Sequence, residues 1–273
     1  MTGHGTAGRA SPGRVALIAA AALLVLFFAL PLLGLVWRAI SDGNVTDELG
    51  SAATWEAMRL SVLTSTLTLG LAVLLGTPLA YLLARSRSPA ARLTTSLLDL
   101  PLVLPPTVAG IALLAAFGRS GYLGETLDEV GLRLSFTTAA VVLAQLFVSA
   151  PFYVRAAYAG FAGADPRFEG VAYTLGLSRW RTFRSVTLPL VWPALAGGAV
   201  LCWARALGEL GATLLFAGSL PGETQTMPLA ILAAFESEAG LAGAVSLSVV
   251  LLGFAFVLLL ALHRVTGPSG PYR

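Results

Sequence analysis

Long apolar runs separated by short polar stretches set the plan of this chain. A helix that crosses the roughly 30 Å hydrocarbon layer needs about 20 mostly apolar residues. Six stretches qualify: 15–37, 60–83, 99–117, 136–154, 188–207 and 243–262. The predicted fold is therefore all-α and polytopic, with six transmembrane helices and the lipid bilayer as the first partner. The first run, Val15 to Trp37, exceeds the apolar region of a signal peptide, and no small-residue cleavage site follows it, so a retained span is expected. In the third run, Pro105 and Pro106 predict a kinked or interrupted span. The expected organisation is an N-terminal tail (1–14), a first span with its outer loop (15–54), a core of five spans (55–264) and a C-terminal tail (265–273).

Composition adds orientation and removes several functions. The mean hydropathy of +0.82 is too high for one soluble core and fits repeated membrane spans. All 17 basic residues are arginine, and the formal net charge is +3. They lie in short loops between apolar runs and not on one soluble face, so orientation, not nucleic acid, accounts for them. With the N-terminus placed in the cytoplasm, the inner side receives Arg9, Arg14, Arg85, Arg87, Arg92, Arg155, Arg167, Arg179, Arg181, Arg184, Arg264 and Arg273. The outer side receives Arg38, Arg59, Arg119 and Arg133, with Arg205 near the outer end of the fifth span. That bias predicts both termini inside. Most acidic residues fall outside, where they solvate loops or form a docking face. Without lysine the chain has no Walker A loop. It cannot hydrolyse ATP by that route, and no cofactor is expected on it.

The polar insert at 165–189 sits on the predicted inner side. Asp165 and Pro166 suit a helix start. Val171 and Leu175 share a face, and Gly176 fits the left-handed residue that ends a helix. Ser178 suits the cap of a second short helix, with Trp180 and Phe183 on one side and Arg179, Arg181 and Arg184 around the other. Pro189 then opens the fifth span without needing a donor. From the residues alone, this helical elbow is either an interfacial helix with orienting arginines or a docking knob for a cytoplasmic protein.

The insert resembles the EAA motif of ABC importer permeases, E-A-A-x3-G-x9-I-x-L-P. Here it reads Gly170-Val171-Ala172, Gly176 and Val186-Thr187-Leu188-Pro189 at the same spacing. Gly170 stands where the family has glutamate, and Val171 replaces the first alanine. Glu169 is adjacent but about 100° around a helix. The resemblance implies a type I importer permease whose core is spans two to six, with span one peripheral. It also implies that the elbow couples to an ATPase, through Gly170, Val171, Ala172, Gly176, Val186, Leu188 and Pro189.

A second stretch, 204–231, begins at the outer half of the fifth span. Arg205 and Glu209 are four residues apart. They form either an ordinary ion pair at the outer interface or a charged pair in the bundle interior, where ionisable residues mark function. Gly208 and Gly211 permit close approach or a break, while Thr213, Ser219, Thr224, Gln225 and Thr226 supply neutral donors. Arg205, Glu209, Gly211 and Thr213 are the candidate translocation residues. The run Gly208-Glu209-x-Gly211-Ala212-Thr213, then Phe216-Ala217-Gly218 and Pro221-Gly222-x-Thr224-Gln225-Thr226-x-Pro228-Leu229, resembles molybdate permeases, and sulfate permeases less closely. Pro105-Pro106 and Phe117-Gly118-Arg119 carry the same resemblance.

Catalytic and metal sites have little support. His4 and His263 are far apart, and Cys202 is the single cysteine. Asp99, at the inner start of the third run, is expected to be a helix N-terminal residue favoured by the dipole. The resemblance implies a second permease copy, two cytoplasmic ATP-binding subunits that use the ATP, and an extracytoplasmic oxyanion-binding protein. The expected activity is molybdate import by alternating access. A sulfate or tungstate permease is the alternative, and an ion-coupled secondary transporter the rival from another class.

Overall fold

The computed structural model describes residues 12–42 and 45–266, so the expected tails 1–14 and 265–273 fall largely outside the described residues. Among the described residues, every regular element is helical. α1 spans Pro12–Asp42, α2 Val45–Gly50, α3 Ala52–Arg85, α4 Pro89–Val103, α5 Pro106–Phe117, α6 Gly124–Glu129 and α7 Thr138–Gly163. Then come α8 (Pro166–Thr174), α9 (Arg179–Thr182), a π turn (Phe183–Thr187), α10 (Leu188–Leu207), α11 (Gly211–Ala217), α12 (Met227–Glu236) and α13 (Gly240–Thr266).

Among the described residues, five stretches are long and apolar enough to cross a membrane: Gly13–Ser41, Ala52–Arg85, Thr138–Gly163, Arg179–Leu207 and Gly240–Leu258. The third predicted span is not a single rod. α4 and α5 meet at 119°, because two prolines interrupt the helix. Leu104, which precedes a proline, is extended (φ −67°, ψ 134°), and Pro105 is extended as well (φ −55°, ψ 138°). The chain resumes helically with Pro106 in the first turn, where a missing donor costs nothing.

The core is the contact of α3, α7 and α10. α3 turns a stripe of small residues inward, including Ala57, Ser61, Thr64, Ser65, Thr68, Ala72, Gly76 and Ala80, all buried at helical spacing. Small residues let backbones approach closely. A methyl group built on Gly76 would lie 2.9 Å from Val154 Cγ2 of α7, and one on Gly198 of α10 would lie 2.6 Å from Ala156 Cβ of α7. The buried hydroxyls bond mostly to backbone. Thr64 Oγ1 donates to Leu60 O at 2.9 Å, and Thr68 Oγ1 reaches across to Val142 O at 3.3 Å and Gln145 Oε1 at 3.2 Å. α1 packs against α13 and leaves nearly all its apolar side chains exposed, as a helix bathed in lipid does.

Two expectations need correcting. The fourth span does not stop near 154 but continues to Gly163, which places Arg155 within α7 and not in a loop. Asp99 is not a helix N-terminal residue. α4 begins earlier, where Ser88 accepts a hydrogen bond from Ala91 N, so Asp99 lies in the second half of that helix. There its carboxylate takes Arg155, with Oδ1 2.5 Å from Nε and Oδ2 against Nη2.

Candidate functional site

The elbow at 165–189 is built from local signals. Asp165 accepts from Arg167 N at 2.9 Å and starts α8, with Pro166 in its first turn. Gly176 ends the helix at φ +82°. Its N–H bonds to Tyr173 O at 3.0 Å and that of Leu177 to Ala172 O at 3.1 Å, the paired bonds of a Schellman stop. Ser178 caps the next helix by accepting from Arg181 N at 3.4 Å.

From Arg179 the structure departs from expectation. The second short helix is not separate but runs unbroken into the fifth span, over Arg179–Leu207. Pro189 explains the junction: it brings no N–H, and its ring crowds the carbonyl four residues back. The helix widens there into a π turn, and Leu188 N bonds to Phe183 O, five residues back.

One face of the elbow is apolar and open. Phe168, Val171 and Leu175 are all exposed, Leu175 at 74%, and Trp180 is exposed at the edge of the groove it lines with Tyr81 and Tyr173. Gly170 is exposed too, with open space where a side chain would stand. The opposite face holds on to the bundle. Ala172 is buried, and Val186 and Leu188 are half-buried. Trp180 stacks on Phe183 at 6.0 Å, and Phe183 meets the Tyr81 ring of α3 edge-on at 5.3 Å. Glu169, which sequence reasoning set aside, turns inward to Arg85 at 2.6 Å. Its partner lies 84 residues away, so only the helix phase of Glu169, opposite the apolar face, signalled an inward role.

At the other end of α10 lies a second break. Arg205, in the last turn of α10, pairs with Glu209 at 2.6 Å, and Glu209 is 1% exposed. The carboxylate is enclosed by protein, while the Arg205 side chain keeps 29% exposure. The other carboxylate oxygen, Oε1, accepts from Ala212 N at 2.9 Å in the first turn of α11, where a negative charge is favoured. Gly211 lets α11 meet α5: a methyl there would lie 2.9 Å from Pro106 Cβ.

The neutral donors divide into two groups. Thr224 Oγ1 accepts from Leu220 N, and Gln225 Nε2 donates to Ser219 Oγ, so these three shape the 218–226 loop. Thr213 and Thr226, by contrast, are buried with hydroxyls that meet no protein partner, and so is the Gln145 amide nitrogen on α7. Buried polar groups are seldom left so, which makes these three donors open to a polar ligand or water; Thr182 Oγ1 and Arg85 Nε at the elbow are likewise buried without a partner. Gln145 was not foreseen; a lone amide amid an apolar run was its signal. No group of three or more metal-ligating side chains occurs among the described residues.

Comparison with known proteins gives a consistent result. Residues 72–266 match the family model described as "binding-protein-dependent transport system inner membrane component". The chain is 44% identical over 236 residues to the molybdenum transport system permease protein ModB of Mycobacterium bovis, covering 86% of this chain and 88% of that protein. It is 36% identical over 225 residues to the sulfate transport system permease protein CysW of Synechococcus elongatus, covering 81% and 79%. Among solved structures, the fold matches a bacterial alginate ABC transporter bound to an alginate-loaded periplasmic protein, with a TM-score of 0.73 at 16% identity over 93% of this chain and 94% of that one.

Proposed function

The chain belongs to the family of binding-protein-dependent transport system inner membrane components, and we propose that it is the permease subunit of an ATP-driven importer that passes molybdate across the cytoplasmic membrane by alternating access. It is a multi-pass membrane protein, with both termini on the cytoplasmic side as the arginine bias favours. Two copies form the pathway. An extracytoplasmic binding protein delivers the dianion to the outer loops, and two cytoplasmic ATP-binding subunits supply the energy.

The observation that carries the coupling role is the elbow: a helix, a left-handed glycine and a second helix fused to a span, with one apolar face open and the other anchored. Phe168, Val171, Leu175 and Trp180 dock into the ATPase, with Gly170, Ala172, Gly176, Val186, Leu188 and Pro189 giving the motif its shape. The ATPase moves the elbow, the elbow moves α10, and the pathway switches its opening. This chain makes and breaks no covalent bond and binds no cofactor.

The pathway passes the outer break. Arg205 offers the oxyanion a cation whose charge is balanced by Glu209, so the ion is attracted without being trapped. Gly211 and Thr213 shape and line the passage, the free hydroxyl of Thr213 serving as a neutral donor. The preference for molybdate over sulfate rests on the higher identity to ModB than to CysW.

The test is reconstitution in proteoliposomes with the partner ATPase and binding protein, followed by labelled molybdate uptake with and without competing sulfate or tungstate. Uptake that needs ATP and resists excess sulfate is expected. Accumulation by this chain alone identifies a secondary transporter, and labelling of residues 167–188 from outside overturns the orientation.

A further inference from the structure

We propose that Glu169 is a positioning residue that locks the elbow to two spans at once, so that a push on α8 moves the ends of α3 and α10 together. The inference rests on the permease function above and adds the side chains through which the elbow's motion is passed on.

The lock is one oxygen atom. Glu169 Oε1 accepts from Arg85 Nη2 at 2.6 Å and from Thr187 Oγ1 at 3.0 Å. Arg85 is the last residue of α3, and Thr187 is the last residue of the π turn that opens into α10. The end of α3, α8 and the start of α10 therefore meet at a single acceptor. Neither donor can slide by more than about an ångström without leaving hydrogen-bond range.

The surroundings favour a held contact over a passing surface pair. Glu169 is 13% exposed and Arg85 24%, and Thr187 is 2% exposed. The Arg85 guanidinium is also held over the Tyr81 ring at 5.8 Å. Hydrogen bonds with an ionised partner are roughly twice as strong as neutral ones. α8 otherwise packs mainly on α9 and the π turn, and Phe168, Val171 and, just past its end, Leu175 are exposed. The ion pair ties α8 to the end of α3. The family glutamate is missing at Gly170, but the carboxylate one residue earlier faces the bundle and takes an internal task.

The test uses the whole transporter in proteoliposomes, with molybdate uptake and ATP hydrolysis measured on one preparation and assembled complex measured by gel filtration. Absence of ATP-driven uptake in the wild type overturns the permease function, and this inference with it. With a working wild type, Glu169→Gln is expected to lower molybdate imported per ATP by about five-fold or more, while hydrolysis continues. Arg85→Gln on top of it should add little, because the two residues act as one unit. The swapped pair, Arg85→Glu with Glu169→Arg, should recover part of the ratio. Thr187→Val, which removes one hydrogen bond at nearly constant volume, should give a smaller loss in the same direction, and it carries the test if Glu169→Gln assembles poorly. A purely structural role lowers uptake and hydrolysis together and leaves their ratio unchanged; that outcome in Glu169→Gln or Thr187→Val overturns the proposal.

Discussion

Two regions of this molecule join helix to helix through a break that contains glycine, and each holds a glutamate against an arginine. At the elbow, Glu169 and Arg85 are 84 residues apart and both keep some contact with solvent. At the outer break, Glu209 and Arg205 are four residues apart; Glu209 is 1% exposed and Arg205 29%. The first pair ties separate elements together, with both side chains mostly but not fully buried. The second is local, caps the start of α11 and places its carboxylate fully inside. A long-range pair with moderate burial suits a joint that must move as a unit. A buried local pair suits a fixed charge beside a pathway.

Breaking each region on its own sharpens that contrast. The largest effect is expected from Arg205→Ala, which leaves the Glu209 carboxylate buried and unpaired. Removing one partner of a buried pair costs roughly 3–5 kcal/mol, so the thermal midpoint in detergent should fall steeply and uptake should be lost. Adding Glu209→Gln should recover part of the stability by removing the stranded charge. A stable Arg205→Ala single variant rules out a buried, dependent carboxylate.

Next comes Gly211→Ala at the same break. Its added methyl would lie 2.9 Å from Pro106 Cβ on a rigid ring, and overpacking of this kind costs about 1–3 kcal/mol. Thermal unfolding measures the cost. Wild-type stability means that α5 and α11 can separate freely.

At the elbow, the first carbon of a side chain at Gly176 meets no steric obstacle, since a methyl there finds nothing within 4 Å. The penalty of Gly176→Val is conformational: φ is +82°, where an L side chain costs about 1–2 kcal/mol. The strain falls on the α8–α9 joint and not on the core. Membrane insertion should stay normal while ATP hydrolysis is uncoupled from uptake. Wild-type uptake together with wild-type stimulated hydrolysis refutes docking by the elbow.

The same contrast shows what could be read from the sequence. The elbow's local devices, Asp165, Gly176 and Ser178, were legible because caps and left-handed stops act within a few residues. The apolar runs gave the spans, and Pro105-Pro106 gave the interruption, though not its 119° bend. What failed was whatever depended on partners far along the chain. Asp99 read as a helix start because the polar first half of α4 hid the true beginning, and Arg155 read as a loop cation because its partner on another helix was invisible. Glu169 was discounted for being out of phase with the motif, and that same phase carries it to Arg85. The Arg205–Glu209 spacing announced a pair, but only packing shows its burial.

The smallest effect is expected at a third acid–arginine pair, in the segment after α5. Arg133 Nε donates to Asp128 Oδ1 at 2.7 Å, and that bond, with the charge of Arg133, holds the Asp128 carboxyl below its ordinary value. A carboxyl lowered on folding stabilises the fold above the unfolded pKa, and that contribution is lost as the pH falls through the folded value. The loss therefore lies on the acid side of the ordinary carboxylate range, near pH 4 and below. Between pH 5 and 8 the pair stays ionised and its contribution is constant. Arg133 is 72% exposed, so water and salt already screen the pair. Asp128→Asn should leave uptake unchanged, with a thermal midpoint close to wild type and the same small offset at pH 5 as at pH 8. An offset that grows between those values would mean that the carboxylate titrates in a more buried setting than its surroundings provide, and the graded order of the three pairs would then be wrong.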